Sequence, residues 1–296
     1  MLARGAALKV EAWNNPNTRF AIHPLRTGTV LSPNCERLPS WFDYYDNLLF
    51  AMPMTAPSGW IEAGLAWLYP PVCQICHEHR ATTAEGLVCS VCWRKVRFIR
   101  PPFCDRCGLP FDGEINSAFE CTNCRELDLD FSSARSAVTA SGIALEIIHR
   151  YKYQRAVWFE PFLADLLTRE AAPVLRAGHW DMIVPVPLHP VKEREREFNQ
   201  AARLCRHLGR ALDLPVKENL IRRLLSTRTQ TLLTRTQRAE NVRRAFACYE
   251  GVALQGKRIV VVDDVFTTGS TTNACAAVLR KAGAGEVCVW TVARGL

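Results

Sequence analysis

The sequence predicts an α/β protein in which a domain with a mostly parallel sheet follows a small cysteine-rich module. From about residue 134 to the C-terminus, short apolar runs alternate with amphipathic helical patterns, as strands joined by helical crossovers require. Residues 67–128 contain four CxxC pairs, a density typical of a zinc-binding module. Residues 1–66 lack lasting periodicity and predict a poorly ordered extension without an assigned role. The predicted domains are therefore 1–66, 67–128 and 134–296.

Composition narrows the class of protein. Hydrophobic residues make up 48% of the 296 residues, which is ample for a buried core. No apolar run reaches the roughly 20 residues that a membrane span needs, so no span is expected. We expect a cytoplasmic protein, where thiols stay reduced and the 13 cysteines hold metal more readily than they form disulfides.

The cysteine-rich segment predicts two structural zinc ions. Two CxxC turns together supply the four thiolates of a tetrahedral zinc site. Successive pairs are separated by 12, 11 and 13 residues, spacings that suit sequential ribbons and a cross-braced pairing alike. Four such motifs argue against a thioredoxin-like redox site, which needs only one. The eight candidate ligands are Cys73, Cys76, Cys89, Cys92, Cys104, Cys107, Cys121 and Cys124.

The elements of the larger domain follow from apolar periodicity. Strands are predicted at residues 134–140, 181–186, 220–223, 258–262 and 286–292. Helices are predicted at residues 142–153, 159–172 and 270–282, and a charged helix is predicted to follow Pro187 and run towards residue 211. Residues 191–245 hold fourteen Lys or Arg and six Asp or Glu, an excess that equals the whole net charge of +8. That stretch is either a solvated helix face or a surface that meets phosphates or nucleic acid.

The segment 259–271 (IVVVDDVFTTGST) carries the strongest functional signal. An apolar strand ends in Asp263 and Asp264, at the edge of the sheet where ligands of open α/β folds bind. A loop of small residues then leads into a helix, so its free amides predict a phosphate site. The predicted phosphate-binding residues are Thr267, Thr268, Gly269, Ser270 and Thr271. Because carboxylates repel phosphate, we expect them to accept hydrogen bonds from sugar hydroxyls instead. The carboxylates and the loop together therefore predict a binding site for a phosphorylated ribose.

Other interpretations of this segment are weaker. A plain strand–turn–helix with a Ser or Thr N-cap would leave the acidic pair and the full loop as coincidences. A Walker loop would need GxxxxGK[ST], which is absent, and no GxGxxG follows a strand.

Residues 260–271 resemble the phosphoribosyl-pyrophosphate (PRPP) signature of type I phosphoribosyltransferases. The surrounding segments are similar to the ComF family of competence-associated proteins, from about residue 67 to the C-terminus. They comprise the CxxC ladder, HRYKY at 149–153, VPVPL at 184–188, FNQ at 198–200, and RTQTLLTRTQRAENVRRAF at 228–246. The resemblance implies a type I phosphoribosyltransferase-like sheet with flanking helices behind a double zinc ribbon.

The resemblance also implies roles for individual residues. Asp263 and Asp264, the catalytic candidates, would hold the ribose 2′- and 3′-hydroxyls, and residues 267–271 the 5′-phosphate. Pro187, Leu188 and His189 would occupy the place of the pyrophosphate loop, with Mg²⁺ bridging pyrophosphate and ribose oxygens. Candidates for a loop that closes over the active site are Arg228, Gln230, Arg235 and Asn241.

Two features leave alternatives open. The family usually has a glycine just before FNQ, where this chain has Glu197, and Lys192, Arg194 and Arg196 alternate with acids that would partly neutralise them. Lys152 and Tyr153 either form a solvated helix end or contact a phosphate or a partner.

Three functions are compatible with these patterns, and the resemblance implies the context of DNA uptake and competence in the first two. The first is a phosphoribosyltransferase of unknown acceptor that acts in DNA uptake during natural transformation. The second is a competence factor that binds single-stranded DNA, works with other competence proteins and uses the pocket as a 5′-phosphate grip. The third is a regulator that senses PRPP without catalysing a reaction.

Overall fold

A four-stranded parallel sheet organises the C-terminal part of the chain. The computed structural model describes residues 71–113, 119–125, 128–225 and 244–296. The sheet has the order β1-β6-β5-β2, and each neighbouring pair is parallel. Its strands are β1 (Ser133–Thr139), β2 (Met182–Pro185), β5 (Arg258–Phe266) and β6 (Glu286–Arg294). A short antiparallel pair, β3 (Ile221–Arg223) with β4 (Phe246–Cys248), stands apart from it.

Helices connect the strands and cover both faces of the sheet. They are α1 (Ser90–Arg94), α2 (Thr122–Arg125), α3 (Gly142–Tyr153), α4 (Glu160–Arg176), α5 (Pro190–Arg196), α6 (Gln200–Leu212) and α7 (Ser270–Lys281). Alternate residues of β5 face opposite sides: Val260 and Val262 join the core with α3, α4 and α6, whereas Ile259 and Val261 join the core with α7. The predicted α/β class with a mostly parallel sheet is confirmed.

The observed elements differ from the predicted ones at several points. The single charged helix expected between Pro187 and residue 211 is two helices. The first ends at Glu197, which adopts a left-handed conformation (φ 71°). Asn199 then starts the second, because its side chain accepts hydrogen bonds from the amides of Ala201 and Ala202. β5 continues to Phe266, four residues beyond its predicted end, since pairing with the equally long β6 outweighs the polarity of the acidic pair. β4, the partner of β3, was not predicted.

The eight cysteines of the module form two separate clusters, in sequential pairing. One contains Cys73, Cys76, Cys89 and Cys92, and the other Cys104, Cys107, Cys121 and Cys124. The closest sulfur pairs lie 3.7–3.9 Å apart. Sulfurs about 2.3 Å from a tetrahedral zinc ion are about 3.8 Å from each other, so both sets fit structural zinc.

The turns of the two clusters are equivalent. Gly108, which follows Cys107, has a φ of 66°, and His77 takes the same left-handed conformation (φ 59°) after Cys76. Position 108 also lacks space for a side chain, because a Cβ there would lie 2.7 Å from the carbonyl oxygen of Ala134 in β1. The second cluster therefore packs directly on the sheet.

The module also protects the outer edge of the sheet. The amide of Ile99 donates to the carbonyl of Ala137, and the amide of Thr139 donates to the carbonyl of Arg97, at 3.0 and 2.9 Å. Unpaired strand edges invite pairing with other chains, and this contact covers β1. No helix in the described ranges is long and apolar enough to cross a membrane. Residues 1–66 lie outside the described residues.

Metal analysis tests the two clusters. Wild-type protein should contain two zinc ions per chain, and Cys73→Ser and Cys104→Ser should each retain one, because three thiolates no longer close a tetrahedral site. Each loss should lower the melting temperature markedly, since structural zinc contributes on the order of 10 kcal/mol to folding. Cys248→Ser, outside both clusters, should retain two. A wild-type content of one zinc would contradict the assignment of one cluster.

Candidate functional site

The site begins with two adjacent carboxylates in β5. Asp263 and Asp264 lie in the C-terminal half of β5. Asp263 is in register with Thr291 of the neighbouring strand β6. Consecutive residues of a strand point to opposite faces, so the two side chains leave the strand in different directions. Asp264 is buried, with 6% of its surface exposed, whereas Asp263 keeps partial access to solvent.

Lys152, near the end of α3, binds the buried member of the pair. Its Nζ lies 2.7 Å from Oδ1 of Asp264, and the two side chains are only 17% and 9% exposed. A buried carboxylate requires such a partner, because desolvation without compensation is costly. Of the two alternatives for Lys152, a solvated helix end is wrong.

The pKa of Asp263 is raised to about 7. Burial is the largest cause and the charge of Asp264 the second, while the charge of Lys152 acts in the opposite direction. Asp263 thus changes its charge near neutral pH. Arg223 on β3 also interacts electrostatically with Asp263.

A buried polar network fixes the helix that carries Lys152. The hydroxyl of Tyr151 donates a hydrogen bond to the carboxylate of Glu160 at 3.2 Å. Arg203 and His207 of α6 bind the same carboxylate. Burial opposes the ionisation of Glu160, but the hydrogen bond of His207 and the charge of Arg203 hold its pKa below the usual range. The network ties α3, α4 and α6 together one residue away from Lys152.

The loop after β5 has the geometry of an anion cradle. Gly269 is the N-cap of α7 in a left-handed conformation (φ 77°), and no side chain caps the helix at that position. A Cβ at 269 would lie 2.5 Å from the ring of Phe266, so glycine is required on both grounds. A plain Ser or Thr N-cap is therefore not what the structure contains.

The loop's backbone donors remain available. Within the described chain, the amides of Thr267, Thr268 and Gly269 donate to no other group. The hydroxyls of Thr268 and Ser270 lie 2.9 Å apart. The loop borders a small cleft of about 30 Å³ lined by Asp263, Val265, Phe266, Thr267, Thr268, Gly269, Ser270, Thr271 and Thr272. Asp263 and the loop's candidate phosphate donors thus line one cleft, whereas the buried Asp264 does not line it.

The end of β2 lies beside this cleft. The amide of Val186 donates to the carbonyl of Val262 at 2.9 Å, immediately before Asp263. Pro187, Leu188 and His189 follow, and His189 caps α5 by accepting a hydrogen bond from the amide of Val191. The turn is held from behind, since the side-chain amide of Asn199 donates to the carbonyl of Val186 at 3.1 Å.

The charged helix α5 is only partly neutralised. Lys192 pairs with Glu195 at 2.7 Å, as the spacing indicates. Glu197 instead pairs with Arg155 at 2.6 Å, and Arg196 lies over the ring of Tyr153 at 5.1 Å. The left-handed backbone at Glu197 accounts for glycine being usual at this position.

The four candidates for a closing loop, Arg228, Gln230, Arg235 and Asn241, lie outside the described residues. Sequence reasoning missed the ionic role of Lys152 and missed Arg223 and Arg294 altogether. Arg294 had one usable signal, because it ends a strand that is otherwise almost entirely apolar (EVCVWTVAR).

Comparisons with known proteins agree with this architecture. Residues 64–125 match the family model of the double zinc ribbon domain. A purine phosphoribosyltransferase from Pyrococcus horikoshii aligns with 45% of this chain and 83% of its own, at 22% identity and a TM-score of 0.28. A TM-score this low does not decide a fold, which rests here on the strand order and the helix layers.

Two curated relatives cover nearly their whole length. Competence protein F of Haemophilus influenzae is 32% identical over 231 residues, which is 75% of this chain and 96% of the relative. The DNA utilization protein YhgH of Salmonella typhimurium is 33% identical over 230 residues, 77% of this chain and 98% of the relative. With its double zinc ribbon and its similarity to these relatives over nearly their whole length, the chain belongs to the ComF family.

Proposed function

We propose that the cleft at the end of β5 binds PRPP, or another phosphorylated ribose, together with Mg²⁺. The observation that carries the proposal is that Asp263, next to the buried Asp264, lines the same cleft as a loop whose amides donate to no group within the described residues. Residues 267–271 would bind the 5′-phosphate through backbone amides and hydroxyls. Asp263 and Asp264 would accept hydrogen bonds from the ribose 2′- and 3′-hydroxyls.

The turn at Pro187, Leu188 and His189 would receive the pyrophosphate. It leaves the strand next to β5, so it adjoins the carboxylates on the side away from β6. When bound, Mg²⁺ would neutralise pyrophosphate charge, and it suits a site with few direct protein ligands. Lys152 pairs with Asp264 at 2.7 Å and would hold its carboxylate in place next to the ribose.

For the reaction, we propose phosphoribosyl transfer to an acceptor that the site does not identify. A nucleophile would form a bond to ribose C1 as the C1–O bond to pyrophosphate breaks, and the leaving pyrophosphate would carry both bonding electrons. The protein's part is to fix the ribose through its hydroxyls and 5′-phosphate. The relatives' names, Competence protein F and DNA utilization protein, support a role in DNA uptake.

The same chemistry could serve the 5′-phosphate of single-stranded DNA, with other competence proteins as further candidate partners. Titration with a 5′-phosphorylated oligonucleotide and its unphosphorylated counterpart separates the two ligands. Competition of the oligonucleotide with PRPP would indicate a shared pocket. PRPP binding without pyrophosphate release over a broad acceptor panel would instead identify a sensor.

Calorimetric titration tests the ligand directly. PRPP with Mg²⁺ should bind wild-type protein, and Asp264→Asn and Asp263→Asn should each weaken binding about ten- to a hundredfold, the equivalent of one or two charge-assisted hydrogen bonds. Asp165→Asn, an exposed member of an ion pair on α4, is the matched control and should bind like wild type. Absence of binding by a folded, zinc-loaded wild type would refute the proposal.

The titration of Asp263 predicts a pH dependence. Below its pKa of about 7 the carboxyl is neutral and accepts hydrogen bonds poorly, so PRPP affinity should rise as pH increases through 7. Because the charge of Lys152 lowers this pKa, Lys152→Met should move the midpoint to higher pH, whereas Lys152→Arg should leave it nearly unchanged.

Phosphate groups titrate near pH 6 and add their own dependence. Asp263→Asn isolates that contribution, since it removes the carboxyl and keeps the ligand the same. The measurement is the dissociation constant between pH 5.5 and 8.5 at constant ionic strength. Identical pH profiles for wild type and Lys152→Met would contradict the assigned role of Lys152.

A further inference from the structure

Arg294, the last residue of β6, joins the loop after β5 to the second cysteine cluster. This loop, residues 267–271, is called the phosphate loop. Its guanidinium is buried, with 7% of the residue exposed. Nη1 donates to the carbonyl oxygens of Phe266 and Thr267 at 3.1 and 2.6 Å, and to that of Gly295 at 2.6 Å. Nη2 lies 3.8 Å from Sγ of Cys107. One side chain thus contacts both the start of the loop and a candidate zinc ligand.

The bonds from Arg294 set the direction of the loop's amides. A trans peptide is planar, with its N–H antiparallel to its C=O. Because the carbonyls of Phe266 and Thr267 point to Arg294, the amides of Thr267 and Thr268 point away from it. These are two of the amides that donate to no group within the described residues. The contact with Arg294 therefore presents them to a ligand.

A stack of side chains reinforces the same arrangement. The guanidinium of Arg294 lies over the ring of Phe266 at 4.7 Å, and the ring of Phe131 meets Phe266 edge-on at 6.1 Å. On its other side, Phe266 touches Gly269, where no space for a Cβ remains. Displacement of Arg294 would free the surface on which the loop rests.

The electrostatics of Arg294 also point to the cluster. Among the residues that the structure describes, no carboxylate pairs with this buried guanidinium. Four thiolates around a divalent zinc ion carry a net charge of −2, and donors near such sulfurs stabilise them. The second cluster is thus the anionic partner of Arg294.

A second connection runs parallel to the first. The side chain of Asn273, in the first turn of α7, accepts a hydrogen bond from the amide of Asp130 and donates to the carbonyl of Asp128, at 2.7 and 3.0 Å. Both partners follow closely on the last ligand of the cluster, Cys124. The helix after the loop is therefore attached to the same module.

We propose that Arg294 is a positioning residue that transmits the rigidity of the second cysteine cluster to the phosphate loop. The proposal deepens the proposed function, on which its binding arm rests. By this mechanism the zinc module is part of the ribose-phosphate site's framework, and loss of the Arg294 contacts impairs phosphate binding while both zinc ions stay in place.

The test compares Arg294→Met and Arg294→Lys in the full-length, zinc-loaded protein. Arg135→Met is the matched control, because Arg135 donates to the carbonyl of Asp105 in the same cluster at 2.9 Å without touching the loop. Amide hydrogen exchange at Asn273 and Gly295 reports the loop without any ligand, since these amides donate to the carbonyls of Gly269 and Phe266, each at 2.8 Å.

In Arg294→Met, exchange at those two amides should be about tenfold faster or more, while the β6 core amides exchange as in wild type. The dissociation constant for ribose 5-phosphate should rise about tenfold or more, with two zinc ions retained. Arg294→Lys keeps the positive charge but lacks the planar guanidinium with its several donors. It should therefore show amide exchange and ribose 5-phosphate affinity between those of Arg294→Met and wild type. Arg135→Met should match wild type.

Unchanged exchange and affinity in Arg294→Met would overturn the proposal, as would equal losses in Arg135→Met, which would indicate a general weakening of the module. If Arg294→Met does not fold, Arg294→Lys is used in its place. Wild-type amide exchange and wild-type affinity in Arg294→Lys would then overturn the role of the guanidinium. If wild type itself does not bind ribose 5-phosphate, the proposed function fails, and the exchange data still decide whether Arg294 holds the loop.

Discussion

The ion pair between Lys152 and Asp264 allows two carboxylates to stand side by side at a largely buried edge of the sheet. Burial, and after it the adjacent charge of Asp264, raises the pKa of Asp263. Lys152 offsets part of this shift from a separate helix. The acidic pair therefore depends on the placement of α3, which the network around Glu160 and the packing of α4 and α6 determine.

The zinc ribbons support both sides of the site. The first cluster reaches α3, because Arg150 donates to the carbonyl of Gln74, between Cys73 and Cys76, at 2.6 Å. The second cluster reaches the phosphate loop through Arg294. Small domains often use metal to replace a core that they cannot build. Here the module also covers the β1 edge and contacts α3 and the end of β6 in the neighbouring domain.

Much of this organisation could be predicted from sequence, because it follows from local rules. The CxxC ladder shows where metal ligands lie, and the apolar period of α3 gave its bounds, Gly142–Tyr153, without error. The loop after β5 was evident from its glycine and hydroxyl residues. These features depend on residues that are close in the chain.

Features that depend on distant residues were not predictable. The pairing of the cysteine clusters, the partner of Lys152 and the contacts of Arg294 join positions far apart in sequence. The break in the charged helix was also missed, since the alternating charges around Glu197 fit a continuous helix until its left-handed backbone is seen. Local patterns thus identify the loop and the acids, but only the fold shows what holds them.

A crystal structure of the protein with ribose 5-phosphate tests the central claim most directly. The phosphate is expected on the amides and hydroxyls of residues 267–271, and the ribose hydroxyls within hydrogen-bond distance of Asp263 and Asp264. A ligand bound elsewhere, or a phosphate in the loop with its sugar turned away from both carboxylates, would contradict it.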